Sequence, residues 1–341
     1  MSTADGKTLP ARDAQQPPGS DRRPAGARIR ASSVLSRFGL LLVFAAVVAL
    51  FTTLNPASFL TLGNAQLIAL TQAIIGFIAL AVMLPMVVGQ FDLSAGFQFG
   101  FAQGLCAVLV LRMGWHPALA MGVVLLAGAL IGLVNGLFIT RLKLASFTTT
   151  LGVGIVVLGM TQFVTNDEVV SGSVAPWFVA LGRSQVVGLP LPFVYLVGAG
   201  GILLFFLEYT IWGRRCYATG SNSSAALLAG IDTNATIVQA MVIGGLLSAV
   251  AGCISVMNLG SSSPTIGLGE LLPAFAGAFL GATAFYPGRY NVAGTIVAVY
   301  LVGVGIIGLQ QLGAASYVEQ LFNGGALLIA IVVSSLATRR S

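Results

Sequence analysis

Between Phe38 and Ala337 the chain is a succession of long apolar runs broken by short polar stretches. Each run approaches the roughly 20 residues that cross a bilayer as a helix. In hydrocarbon every backbone N–H and C=O must find its partner inside the protein, and for runs that do not alternate apolar with polar this leaves the helix. We read ten segments, at about 38–54, 65–88, 93–111, 118–140, 145–164, 192–212, 235–257, 271–285, 291–312 and 321–337. The segment 271–285 is short, and Pro273 is expected to break it. Charged residues make up only 8% of the chain, against about 25% in soluble domains, so a water-facing surface cannot be dressed. The expected fold is an all-α polytopic membrane protein.

The cations orient it. With the N-terminus inside, the inner side carries Lys7, Arg12, Arg22, Arg23, Arg28, Arg30, Arg37, Arg141, Lys143, Arg214, Arg215, Arg289, Arg339 and Arg340. The outer side carries only Arg112 and Arg183. Fourteen of sixteen on one side is a strong positive-inside asymmetry. Both termini are therefore expected in the cytoplasm, with the long loop 165–190 outside. Residues 1–37 are polar and Pro-rich at Pro17 and Pro18, and are expected to be a disordered cytoplasmic tail. A signal peptide is the competing reading of that basic stretch. The run Phe38–Leu54 exceeds an h-region, however, and Asn55-Pro56-Ala57-Ser58 is no clear cleavage site.

Composition excludes several chemistries. Cys106, Cys216 and Cys253 lie far apart without metal spacing and read as small packing residues. His116 is the single histidine, and no nucleophile–base pair or metal cluster accompanies it, which argues against an enzyme. The basic residues form no stripe, so no nucleic-acid partner is expected. No P-loop with its lysine appears, so the chain itself holds no ATP and no other cofactor.

Small residues recur every four positions at Gly96, Gly100 and Gly104, at Gly128, Gly132 and Gly136, and at Gly244, Ser248 and Gly252. Such faces let helix backbones approach closely in lipid. Ser94 and Gln98 lie one turn apart, roughly opposite the Gly96/Gly100 face. They are candidates for the translocation path, with an interhelical hydrogen bond as the alternative. Asp92 sits where a glycine break meets a new helix, and is expected to cap free backbone donors there or to contact solute. Glu208 is expected to pair with Arg214.

The stretch Gly213–Asp232 is the longest moderately polar interval between two apolar runs in the second half. Asn222 or Ser223 is expected to N-cap a short helix through Ala225, Ala226, Leu227 and Leu228, and Gly230 to stop it. That helix would lie at the membrane surface, with Ala225 and Ala226 presenting a small-residue face to a partner.

Four landmarks in order resemble one family, the ribose-type permease subunits of bacterial ABC importers for monosaccharides. Val88–Gly96 is similar to its Gly-Gly-Ile-Asp-Leu-Ser-Val-Gly signature, with Gln90 and Ala95 as departures. Asn135-Gly136 followed by Ser146-Phe147-Thr148-Thr149-Thr150-Leu151-Gly152 resembles the next landmark. Gly213, Arg214, Tyr217, Ala218, Gly220, Asn222, Ala225, Ala226, Gly230 and Ile231 match the segment that forms the family's cytoplasmic coupling helix, which docks on the ATPase. Ser224 and Leu227 stand where the family often has Glu and a basic residue. Leu280-Gly281-Ala282-Thr283 and Pro287–Thr295 resemble the last landmark.

The resemblance implies about ten helices in inverted repeats, a second permease copy, an ATPase subunit carrying the ATP, and an extracellular or periplasmic solute-binding protein. It implies a multi-pass protein of the bacterial inner membrane that passes a sugar, with nucleosides, an autoinducer or branched-chain amino acids as alternative solutes. A self-contained secondary transporter is the other class. It calls for charged midplane ligands, and only Asp92 offers one.

Overall fold

The computed structural model describes residues 26–338 except Val174 and Pro287. The elements follow the apolar runs. In order they are α1 (Gly26–Leu54), α2 (Pro56–Phe59), α3 (Leu62–Val87), α4 (Ala95–Ala107), α5 (Pro117–Thr140) and α6 (Ser146–Thr165). Then come β1 (Val170–Ser171), α7 (Pro176–Arg183), β2 (Gln185–Val186), β3 (Leu189–Pro190), α8 (Leu191–Tyr209), α9 (Ile211–Ser221) and α10 (Ser223–Leu228). The chain closes with α11 (Thr233–Leu259), β4 (Ser261–Ser262), α12 (Ile266–Gly281), α13 (Val292–Gln311) and α14 (Ser316–Thr338). A π-helical turn, Val108–Arg112, prolongs α4. Among the described residues seven helices are long and apolar enough to cross a membrane, and Phe38–Leu54 and Ile266–Gly281 are shorter apolar helices.

Three expectations change. The tail was expected without structure through residue 37, but α1 begins at Gly26, so residues 26–37 are helical; residues 1–25 lie outside the described residues. The loop 165–190 contains α7 and three short strands. Strand β1 pairs with β4, and β2 with β3. Pro273 does not break α12, which starts five residues earlier than expected, at Ile266. The position four residues before it, where a proline ring crowds the helix, is Gly269, which brings no side chain of its own to that crowding.

The core is built where helices lose their side chains. Helix α4 is the most enclosed, with every residue but Leu105 buried, and the buried residues of α3 and α11 run through most of both helices. Gly128, Gly132 and Gly136 of α5 all face α11. A Cβ on Gly128 would stand 2.6 Å from the Gly245 carbonyl oxygen, and one on Gly136 would stand 2.9 Å from Val238 Cα. Gly244 faces Ala81 of α3, and Gly252 faces Ala102 and Gln103 of α4. Gly96 and Gly100 face Gly267 of α12. The three cysteines are buried.

The helices run so that residues 88–94, 141–145, α9–α10 and 282–291 share one end of the bundle. Gly89 meets Gly220, and Phe91 N–H donates to Ser146 Oγ (3.1 Å). Tyr217 OH donates to the Tyr290 carbonyl (3.0 Å). At the opposite end Arg112 pairs with Glu168 (2.9 Å) and Arg183 Nε donates to the Asn258 carbonyl (2.7 Å).

Candidate coupling segment and buried polar junction

The polar stretch after α8 folds as two helices rather than one. Thr210 caps α9, accepting from Gly213 N–H (3.4 Å). Gly213, Cys216 and Thr219, spaced three apart, form its buried face, while Arg214 and Arg215 are exposed. A Cβ on Gly213 would collide with the Leu207 carbonyl, so only glycine lets α9 turn this tightly off α8. Trp212 Nε1 donates to Gln239 Oε1 (2.9 Å) and ties α9 to α11.

Asn222 caps α10 as its residue type predicts, its Oδ1 accepting from Ala225 N–H (2.9 Å). The end of α10 is a Schellman motif. Gly230 N–H donates to the Leu227 carbonyl, Ile231 N–H donates to the Ala226 carbonyl (both 3.0 Å), and Gly230 takes φ +82°. The outward face differs from the expected one. Ala226 is buried against the chain itself, whereas Leu227 (61%) and Leu228 (91%) stand exposed with Ala225 beside them.

Glu208 does not pair with Arg214. Both its oxygens lie 3.2 Å from Arg289 Nη2, and the Arg289 guanidinium lies 3.5 Å over the Tyr217 ring. Burial pushes the Tyr217 phenol up to about 12, with the Arg289 charge opposing and the Glu208 charge adding to it. Two half-buried charges thus hold α9 to the 282–291 connection. In that connection Asn291 caps α13 through Gly294 N–H (2.7 Å) and donates to the carbonyls of Gly281, Ala284 and Arg289.

Asp92, Ser94 and Gln98 come together, but in a closed network. Asp92 Oδ1 accepts from Ser94 N–H (2.9 Å) and from Ser94 Oγ–H, so its carboxylate takes one backbone donor just ahead of α4. Ser94 Oγ accepts from Gln98 Nε2 and from Asn135 Nδ2 of α5, both at 2.7 Å. All four residues are buried, between 0 and 1% exposed. Ser94 and Asn135 thus make a hydrogen bond between α5 and the start of α4, and all four side chains are buried. One oxygen each of Asp92, Gln98 and Asn135 has no hydrogen-bond partner among the described residues. Asn135 was visible only as part of a landmark, because its partners lie 41 residues away in sequence. Among the described residues no cluster of His, Cys, Asp and Glu could hold a metal ion.

The sequence model of a permease family, described as a branched-chain amino acid transport system permease component, matches residues 64–332. The chain belongs to this family. The permease is 34% identical over 307 residues to the ribose import permease protein of Bacillus subtilis (strain 168), covering 90% of this chain and 95% of that one. It is 29% identical over 305 residues to the D-allose transport system permease protein of Escherichia coli (strain K12), covering 89% and 93%. It is 27% identical over 290 residues to the fructose import permease protein of Rhizobium meliloti, covering 83% and 81%. No solved structure matches the permease. Its multi-pass helical build agrees with the family.

Proposed function

We propose that the chain is the membrane-spanning subunit of an ABC importer that passes a monosaccharide into the bacterial cell. The observation that carries this is the near end-to-end likeness to the ribose import permease, repeated for relatives named for allose and fructose. In this reading ten crossings, arranged as inverted repeats, are made by α1, α3, α4 with its π turn, α5, α6, α8, α11, α12, α13 and α14. The cation asymmetry supports cytoplasmic termini and a cytoplasmic α9–α10. The chain has no P-loop, so a separate ATPase supplies the work, and a solute-binding protein and a second permease copy complete the importer.

The coupling role falls to α9–α10. Leu227 and Leu228 are apolar and exposed at an aqueous boundary, which supports a partner covering them. Asp92, Ser94 and Gln98 act as the pins of the α3–α4 break. The direct test is deletion of the gene followed by uptake of labelled ribose, allose and fructose by whole cells. Loss of uptake of one of these, restored by the intact gene, is expected; unchanged uptake of every monosaccharide assayed would refute the solute class.

A further inference from the structure

Resting on the cytoplasmic placement of α9 in the reading above, we propose that the groove between α8 and α11 holds an acyl chain of an anionic phospholipid of the inner leaflet, with Arg215 taking its phosphate. The groove has a volume of about 540 Å³. Its walls are Ile202, Leu203 and Phe206 of α8, Ile243 and Leu247 of α11, and Trp212 of α9. Both walls belong to helices long and apolar enough to cross a membrane. Ile202 (62%) and Phe206 (48%) nevertheless stand exposed in it. The polar groups of the lining are Gln239 and the Trp212 indole N–H, and they bond each other (2.9 Å). Water needs several polar partners to settle in such a site, and these walls do not supply them.

The dimensions suit a lipid chain rather than a protein. The groove follows α8 from Ala199 to Phe206 and α11 from Gln239 to Leu247, so it is roughly 12 Å long at about 1.5 Å per residue. That is close to one leaflet of a hydrocarbon core about 30 Å thick. A stable protein partner buries about 800 Å² on each side, more than a slot two turns long offers. The level fits as well. The apolar helix α8 ends at Tyr209, and α9, which carries exposed Arg214 and Arg215, starts at Ile211. Trp212 thus stands where the apolar wall gives way to a charged segment, the level at which tryptophan gathers in membranes.

The charge selects the headgroup. Arg215 follows Trp212 by three residues, so the two share one side of α9. It is exposed and forms no salt bridge among the described residues. The carboxylates that flank α9 in sequence are engaged elsewhere, Glu208 with Arg289 and Asp232 with the Ala235 N–H. Arg214 instead lines a cavity of about 870 Å³ with Tyr217 and Arg289. A guanidinium matches a phosphate with two parallel hydrogen bonds. Basic sites between spanning helices on the cytoplasmic side recognise anionic headgroups in this way. Phosphatidylcholine brings the same phosphate, but its own cation offsets it. A phosphatidylglycerol keeps its net negative charge, and the site therefore prefers it.

The test is quenching of Trp212 fluorescence by lipid brominated on its acyl chains, with the full-length permease in phosphatidylcholine vesicles. Trp115→Phe and Trp177→Phe leave Trp212 as the single tryptophan. A small fraction of brominated phosphatidylglycerol is expected to quench it several-fold more than the same fraction of brominated phosphatidylcholine. Arg215→Gln is expected to remove that preference, and Ala199→Phe, which fills the groove, to weaken quenching by both lipids. Equal quenching by the two lipids with Arg215 intact would overturn the headgroup site. Quenching untouched by Ala199→Phe would overturn the groove as its seat, and no quenching by either lipid would show the groove closed to lipid. Should the background with two phenylalanines not fold, native mass spectrometry of the unaltered chain carries the same expectation: phosphatidylglycerol retained over phosphatidylcholine, and the preference lost in Arg215→Gln. Neither sugar nor ATP enters the assay, so failure of this site and failure of the monosaccharide reading are told apart.

Discussion

Gly132→Ala in α5 is the sharpest stability prediction. The added Cβ would collide with the Met241 carbonyl oxygen and stand 2.9 Å from both Met241 C and Val242 Cα. All three are backbone atoms of α11, which cannot rotate aside, so the helices must separate. Overpacking of this kind costs typically about 1–3 kcal/mol. Alanine in place of glycine inside a helix gives back about 1 kcal/mol. Gly122 of the same helix supplies the control, because nothing lies within 4 Å of a Cβ built there. Gly122→Ala then keeps the propensity gain alone, and the two variants should differ by about 1–3 kcal/mol. Thermal melting of each purified variant in one detergent reads the difference. Gly132→Ala should melt at or below wild type and Gly122→Ala at or above it. Equal shifts of the same sign in both would refute close backbone contact between α5 and α11.

Leu228→Asp should fold and insert normally, since the side chain is 91% exposed, yet lose co-purification with the ATPase; a charge desolvated at a docking face costs about 1–3 kcal/mol or more, and a free surface tolerates it. Burial pushes the Asp92 carboxyl in the 88–94 connection up to about 6 from 3.8, against the lowering effect of its Ser94 bonds. A raised carboxyl contributes stability that is present below pH 3.8 and lost as pH rises through about 6. Asp92→Asn should flatten that loss, and an unchanged slope of melting temperature between these pH values would count against it. Asp167→Cys should react with an impermeant thiol reagent added outside intact cells; labelling only after permeabilisation would invert the topology.

The helices were legible because bilayer-length apolar runs leave the backbone one solution, and most boundaries fall within a few residues of those read from the sequence. Local chemistry was legible too: the Asn222 cap and the Gly230 stop depend on residues three to five positions apart. What escaped was set by distant neighbours. Glu208 found Arg289, 81 residues on, rather than the nearby Arg214. The inward turn of Ala226 was invisible because α10, Ser223–Leu228, is too short for its apolar residues to mark a face. Ser94 and Gln98, one helical turn apart, do meet, but Asn135, which joins them from α5, lies 41 residues from Ser94 and could not be paired with them by period.

The central claim is that this chain conducts a monosaccharide under the drive of a separate ATPase. Its most direct measurement is accumulation of labelled D-ribose, D-allose and D-fructose by proteoliposomes holding the permease, its ATPase and its binding protein. The account predicts that one of these sugars accumulates against its gradient only when ATP, ATPase and binding protein are all present. Accumulation without the ATPase, driven by an ion gradient alone, would contradict it.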